Sequence, residues 1–306
     1  VIASRHPADP SPARRAVLDR LLKSPRGLAA DFGASETRPF ADLDPREAAL
    51  AERLRRGVLQ NLRWIDFLLD ARRLFDRDRT DEASIWILRL AVYQKLLADS
   101  APDYAIGQQS VELARERSGE RVARFVNGVL RRLLPGLSAE TALEESAALP
   151  PAIRYSMPDL IVDALASGYG RSAIEGVLRA FNAEETRVHL RVNTLKTDLE
   201  RVAAEAAREG CELAPSSLAP GLLRWTSGSL PPWRASIWKR GWIAVQDPAA
   251  LVGVAMLDPR PGESVLDWCA APGGKTGHIW ELMGGRGELF ALEVNARRRR
   301  SLNAAL

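Results

Sequence analysis

Residues 267–276 read Asp-Trp-Cys-Ala-Ala-Pro-Gly-Gly-Lys-Thr and follow directly on the apolar pair Val265-Leu266. Two adjacent glycines between a strand and a helix let the backbone come close to a ligand. The free N–H groups and positive dipole end of the helix start then attract an anion. Three ligand classes suit such a loop: a nucleoside triphosphate, a dinucleotide, or S-adenosylmethionine with its carboxylate. A triphosphate loop needs GxxxxGK[ST]; Gly274-Lys275-Thr276 supplies its end, but Cys269 stands at the first glycine position. The dinucleotide fingerprint GxGxxG is absent. In such sheets a carboxylate about 20 residues beyond the loop grips ribose hydroxyls, and Glu293 lies 24 positions after Cys269. Loop and acid together favour the third ligand.

The elements that must position these residues can be read around them. Ser264–Asp267 reads as a short buried strand, Thr276–Met283 as a helix, Glu288–Glu293 as a second strand closed by the acid, and Ala296 onward as another helix. Strand, glycine turn, helix, strand opens a doubly wound α/β sheet. Two strands make a poor sheet. The chain also lacks an initial Met and stops at Leu306 within a helical pattern, so a fragment of a longer protein is expected.

Upstream the texture differs. Residues 12–134 read as helices throughout. Asp44-Pro45-Arg46-Glu47 combines an N-cap, a proline at the first helical position and an acid at the third. Behind it Leu50, Leu54, Val58, Leu62, Ile65 and Leu69 form one apolar stripe. Glu82–Ala98 is apolar on nearly every side, which places it at the centre of a bundle. A third helix follows Pro102-Asp103, and a fourth carries Val122, Val126, Val129 and Leu133 until Pro135-Gly136 stops it. Alternation first appears at residues 187–193, the mark of a strand with one buried face. Thr197–Gly210 follows as a helix, and Leu222–Trp225 as a further strand.

The bulk numbers exclude several classes. The 306 residues allow two domains or slightly more. No long apolar run spans a membrane, and the start resembles no signal peptide. A net charge of +4 tolerates a nucleic-acid partner without arguing for one. Cys211 and Cys269 are the only cysteines, 58 positions apart, and three histidines are scattered. Neither a metal site nor a disulfide framework is expected, which points to a reducing cytoplasm.

The decapeptide 267–276 resembles the cofactor loop of the RsmB-type (Sun/Fmu) RNA 5-methylcytosine methyltransferases. Gly241-Trp242-Ile243-Ala244-Val245-Gln246-Asp247 is similar to the strand segment preceding that loop, and Arg191-Val192-Asn193-Thr194 to another family segment. Val126-Asn127-Gly128-Val129-Leu130-Arg131-Arg132 resembles the last helix of the NusB-like domain that many bacterial members carry. The resemblance implies an all-α NusB-like bundle over 1–145, a small α/β linker unit over 146–230, and over 231–306 the first part of a Rossmann-like S-adenosylmethionine-dependent methyltransferase domain. It further implies that Cys269, Ala270, Ala271, Pro272, Gly273, Gly274 and Lys275 line the cofactor and that Glu293 holds its ribose. The family usually has a small aliphatic residue at Trp268 and Asp at Glu293; the longer acid alters ribose geometry and keeps the acceptors.

The implied activity is methylation of cytosine carbon 5, with 16S ribosomal RNA as the bacterial substrate and a monomer as the working form. Carbon 5 is too weak a nucleophile unaided; a thiolate adding at carbon 6 activates it, and a base then removes the carbon 5 proton. In the family two cysteines on later motifs do this work, so no catalytic residue is expected here and the chain alone should be inactive. Cys211 reads as a small buried apolar residue. Arg14 and Arg15 on the first helix, with Arg121 and Arg124 on the last, are the candidate RNA contacts; solvated faces are the plainer account of each. The same holds for Arg297–Arg300. Trp225, Trp233, Trp238 and Trp242 read as packing between the middle unit and the sheet rather than as a stacking platform. The alternative from another class is a NusB-like RNA-binding or transcription antitermination module with a non-catalytic C-terminal part. Methyl transfer to a protein or small molecule is a third reading.

Overall fold

The computed structural model describes residues 10–23, 40, 42–98, 101–182, 188–219, 221–228 and 232–305. The chain divides into two compact units, Val1–Ala183 and Glu184–Leu306.

The first unit is helical: α1 (Pro12–Lys23), α2 (Pro45–Gln60), α3 (Leu62–Ala71), α4 (Glu82–Leu96), α5 (Asp103–Ser118), α6 (Glu120–Leu133), α7 (Ala139–Ser146), α8 (Pro151–Arg154), α9 (Asp159–Tyr169) and α10 (Ile174–Phe181). The helix start at 44–47 forms as its residues require: Asp44 accepts from the N–H groups of Arg46 and Glu47 at 3.0 and 3.1 Å. Glu47, however, accepts from the Ala13 N–H at 2.8 Å and so caps α1 as well. The apolar stripe from Leu50 to Leu69 spans two helices, because Asn61 leaves helical geometry and turns its side chain onto the Gly57 carbonyl at 2.9 Å.

α4 is central, packed against α1, α2, α3, α5 and α6. Trp86, Ile87, Leu88, Leu90, Val92 and Tyr93 are buried around its circumference, each large apolar side chain contributing about 1.5–3 kcal/mol. Residues 146–182 are helical too and belong to this unit: the Trp64 indole N–H donates to Ser146 Oγ at 2.6 Å and Asn182 donates to the Tyr155 carbonyl. The linker expected over 146–230 is therefore divided, its first half lying in the helical unit and its second half in the α/β unit.

The second unit runs β1 (Val188–Val192), α11 (Leu199–Arg208), β2 (Cys211–Pro215), β3 (Leu222–Gly228), α12 (Ser236–Lys239), β4 (Ile243–Val245), α13 (Pro248–Leu257), β5 (Ser264–Asp267), α14 (Gly274–Leu282), β6 (Glu288–Ala291) and α15 (Ala296–Ala305). Residue 187, expected at the head of β1, lies outside the described residues. β1 to β4 make an antiparallel sheet of order β2-β3-β1-β4 over a core of Leu190, Val192, Val202, Ala206, Leu223 and Ile243. β1 sits inside this sheet and both of its faces are buried, His189 and Arg191 included, where the alternation predicts one. β5 and β6 pair in parallel, Ser264 opposite Glu288 through Asp267 opposite Ala291, and α14 connects them in a βαβ unit. β6 ends at Ala291, so Glu293 stands in the turn beyond it.

Candidate cofactor site

The glycine loop is held from several sides. Gly273 has φ +106°, a conformation natural to glycine alone, and a Cβ there would meet Ala305 and Leu302 of α15 at 3.1 and 3.3 Å. Gly274 opens α14, and a Cβ there meets nothing within 4 Å; this is the side from which a ligand can reach the backbone. Asp267, at the end of β5, accepts from the Thr276 hydroxyl at 2.7 Å, tying strand to helix across the loop. The Ala270 N–H donates to the Leu292 carbonyl and the Leu292 N–H to the Asp267 carbonyl, at 3.0 and 2.9 Å. These bonds bring the segment carrying Glu293 against the loop.

Of the eight residues singled out in the sequence, Ala270, Ala271 and Gly273 are buried in the loop, whereas Cys269, Pro272 and Lys275 are exposed. Cys269 is a free thiol and Cys211 a buried one in the antiparallel sheet's core. The Glu293 side chain is 4% exposed. Its Oε1 accepts from the Asn295 N–H at 2.9 Å, and its Oε2 is buried without a hydrogen-bond donor. An orphaned carboxylate oxygen beside a glycine loop suits a group that brings its own hydroxyl, so the residues present fit a ribose-bearing cofactor. Trp268, where a small residue is usual, is largely solvent-facing.

The sequence reading missed a buried polar cluster beneath α14. Arg191 of β1 forms an ion pair with Glu281, their side chains 7% and 6% exposed. Its Nε donates to Gln246 Oε1 at 2.7 Å and its Nη2 reaches the Gly274 carbonyl at 3.4 Å. Burial pushes the Glu281 carboxyl up, against the lowering pull of Arg191. His278, one turn before Glu281, is lowered to about 4 by burial first and by the Arg191 charge second. The alternation at 187–193 placed Arg191 on a solvent-facing side, so the sequence carried no signal for its burial.

The arginines separate into two kinds. Arg14 is turned inward: its Nε and Nη2 donate to Gln94 Oε1 at 2.9 and 2.5 Å, and burial lowers its pKa. This position does not suit the RNA contact expected of it. Arg15 is tied to Glu116 by two bonds of 2.7 and 2.5 Å, which hold that carboxyl below its ordinary range. Arg121 and Arg124 stand exposed on α6. Among the tryptophans, Trp225 and Trp242 pack on the antiparallel sheet's own core, while Trp233 and Trp238 are substantially exposed. Among the described residues no helix is long and apolar enough to cross a membrane, and no three or more His, Cys, Asp or Glu gather as metal ligands.

Residues 12–135 match the NusB family, and residues 254–306 match the family of 16S rRNA methyltransferases RsmB/F. The match to the RsmB/F family thus lies in the C-terminal stretch and the match to the NusB family in the helical unit. Relatives include a protein of Bacillus subtilis named probable ribosomal RNA small subunit methyltransferase B, 31% identical over 258 residues covering 83% of this chain and 56% of the relative. A Synechocystis protein of the same name is 30% identical, covering 81% and 56%. The chain thus spans about half the length of the curated relatives it matches. The crystal structure of PH0851 superposes with a TM-score of 0.65 at 25% identity, covering 99% of this chain and 67% of that one. A NusB-like helical unit followed by a partial α/β methyltransferase fold is the arrangement of this chain.

Proposed function

We propose that this protein is an RsmB/F methyltransferase that methylates carbon 5 of cytosine in RNA, 16S ribosomal RNA being the substrate, with S-adenosylmethionine as donor. The pairing of the glycine loop with Glu293, whose buried Oε2 has no donor, carries this reading. Glu293 would hold a ribose hydroxyl, the first-turn N–H groups of α14 would take the cofactor's carboxylate, and Lys275 would add positive charge beside them. Cys269 to Gly274 form the wall between, the backbone at Gly274 being the approachable side. When bound, the cofactor supplies an electrophilic methyl group. The substrate assignment comes from the names of the relatives, and the cytosine assignment from the family resemblance of the loop.

Neither cysteine of this chain is assigned the nucleophile's role. Cys211 is buried among apolar side chains, and Cys269 sits on the cofactor loop. Arg121 and Arg124 remain the RNA contacts favoured on the NusB-like unit. A purely RNA-binding antitermination module accounts for α1–α6 and leaves the loop and Glu293 without a use.

Calorimetric titration of the full-length protein with S-adenosylhomocysteine tests the cofactor site. Binding is expected, weakened at least about tenfold by Gly274→Val, which fills the open side without touching α15; Gly273→Val would disturb α15 as well. Failure of the wild-type protein to bind sinks the reading. Mass spectrometry of treated ribosomal RNA should then find 5-methylcytidine, and Cys269→Ala should retain that activity.

A further inference from the structure

The four arginines 297–300 read in the sequence as one solvated run, yet the structure gives them different tasks. α15 starts under a cap in which Asn295 Oδ1 accepts from the N–H groups of Arg297 and Arg298 at 3.0 and 3.1 Å. That start points the Arg298 side chain back over the glycine loop. Its Nη2 donates to the Ala271 carbonyl at 2.8 Å, and its Nε stands 3.6 Å from Glu293 Oε2. One guanidinium therefore spans the two halves of the candidate site, the loop after β5 and the acid after β6.

The 3.6 Å separation is what gives the arrangement its use. A charge-assisted hydrogen bond closes to about 2.7–2.9 Å, so Arg298 balances the carboxylate's charge without filling its acceptor. Tethering to Ala271 holds the guanidinium at that distance. Glu293 Oε1 is taken by Asn295, and Oε2 is left buried and without a donor. A buried carboxylate oxygen in that state is costly, and a ligand hydroxyl arriving there removes the cost. Lys has a single donor centre and cannot reach both groups with a rigid fork.

We propose that Arg298 is a positioning residue for the cofactor, fixing Glu293 against the Ala271 carbonyl so that Oε2 stays open for a ribose hydroxyl. This rests on the cofactor reading of the loop. The test is calorimetry on the full-length protein with two probes, S-adenosylhomocysteine and adenosine, which carries the ribose without the amino-acid tail. Arg298→Ala is expected to weaken both probes alike, about tenfold, and to have little further effect in a Glu293→Ala background. Equal losses in the presence and absence of the Glu293 carboxylate would overturn the proposal, as would wild-type affinity in Arg298→Ala. If circular dichroism shows Arg298→Ala unfolded, Arg298→Lys serves instead: several-fold weaker binding of both probes supports the tether, and unchanged affinity overturns it. A wild-type protein that binds neither probe defeats the cofactor reading itself, an outcome distinct from a bound wild type with an indifferent Arg298.

Discussion

At the scale of single residues, the cluster beneath α14 makes two predictions. Arg191 and Glu281 form a buried ion pair, and removing one partner of such a pair leaves an uncompensated charge. Arg191→Met should cost about 3–5 kcal/mol in denaturant unfolding of the α/β unit, and adding Glu281→Leu should recover much of it; additive losses would contradict the pairing. His278 binds its proton less readily folded than unfolded, its pKa lowered from 6.5 to about 4. Between those values the unfolded chain takes up a proton that the folded one refuses. Stability contributed by neutral His278 is therefore present above about pH 6.5 and is lost as pH falls toward 4. Glu281, with its pKa raised, acts in the opposite direction, so the comparison must be made against a variant. The melting temperature of His278→Gln should fall less than that of the wild type between pH 7.5 and 5; parallel curves would refute the assignment. Arg121→Ala and Arg124→Ala should each lower the salt slope of RNA binding by about one, measured by filter binding across ionic strengths.

At the scale of elements, two glycines show where close approach decides the packing. A Cβ on Gly57 of α2 would lie 2.0 Å from the Tyr93 ring of α4. Glycine inside a helix costs about 0.5–1 kcal/mol relative to alanine, but overpacking costs about 1–3 kcal/mol, and the Tyr93 ring is buried. Gly57→Ala should therefore destabilise in urea melts, against the helix-propensity expectation. Gly287, at φ +120°, would bring a Cβ within 2.4 Å of the Glu263 carbonyl. Backbone cannot move aside as a side-chain tip can, so Gly287→Ala should cost at least about 1–3 kcal/mol and loosen the pairing of β6 with β5. Faster amide exchange along both strands would report it. Element identity was readable from periodicity: the helices of the bundle, the strand at 264–267 and, among the described residues, the lack of strands before residue 180 all agree with the structure. The break at Asn61 and the strand at Cys211–Pro215 were not. A side chain satisfying a carbonyl four residues back leaves no mark on an apolar stripe, and a five-residue strand half exposed to solvent has too weak a pattern to stand out.

At the scale of the whole molecule, the first unit has its own core, running from Val17 and Leu54 through α4 to Val126 and Leu133. Residues 1–183 expressed alone should give a helical circular dichroism spectrum and a single cooperative melt; a non-cooperative transition would show that the core is incomplete. The sequence by itself located the glycine turn between β5 and α14 and the acid beyond β6, because a turn with φ +106° at Gly273 needs glycine and local spacing records that need. It also determined the order of a helical unit followed by an α/β unit, since the change of hydrophobic period from 3.6 to 2 is local too. Only the tertiary structure decided which charges turn inward and what they pair with. Arg14 turns inward to Gln94, Arg191 crosses from the antiparallel sheet to α14, and Arg298 leaves its neighbours to join Ala271 to Glu293. An arginine's place depends on partners distant in the chain, Gln94 lying 80 residues from Arg14 and Glu281 far from Arg191, and no local pattern encodes such a partner.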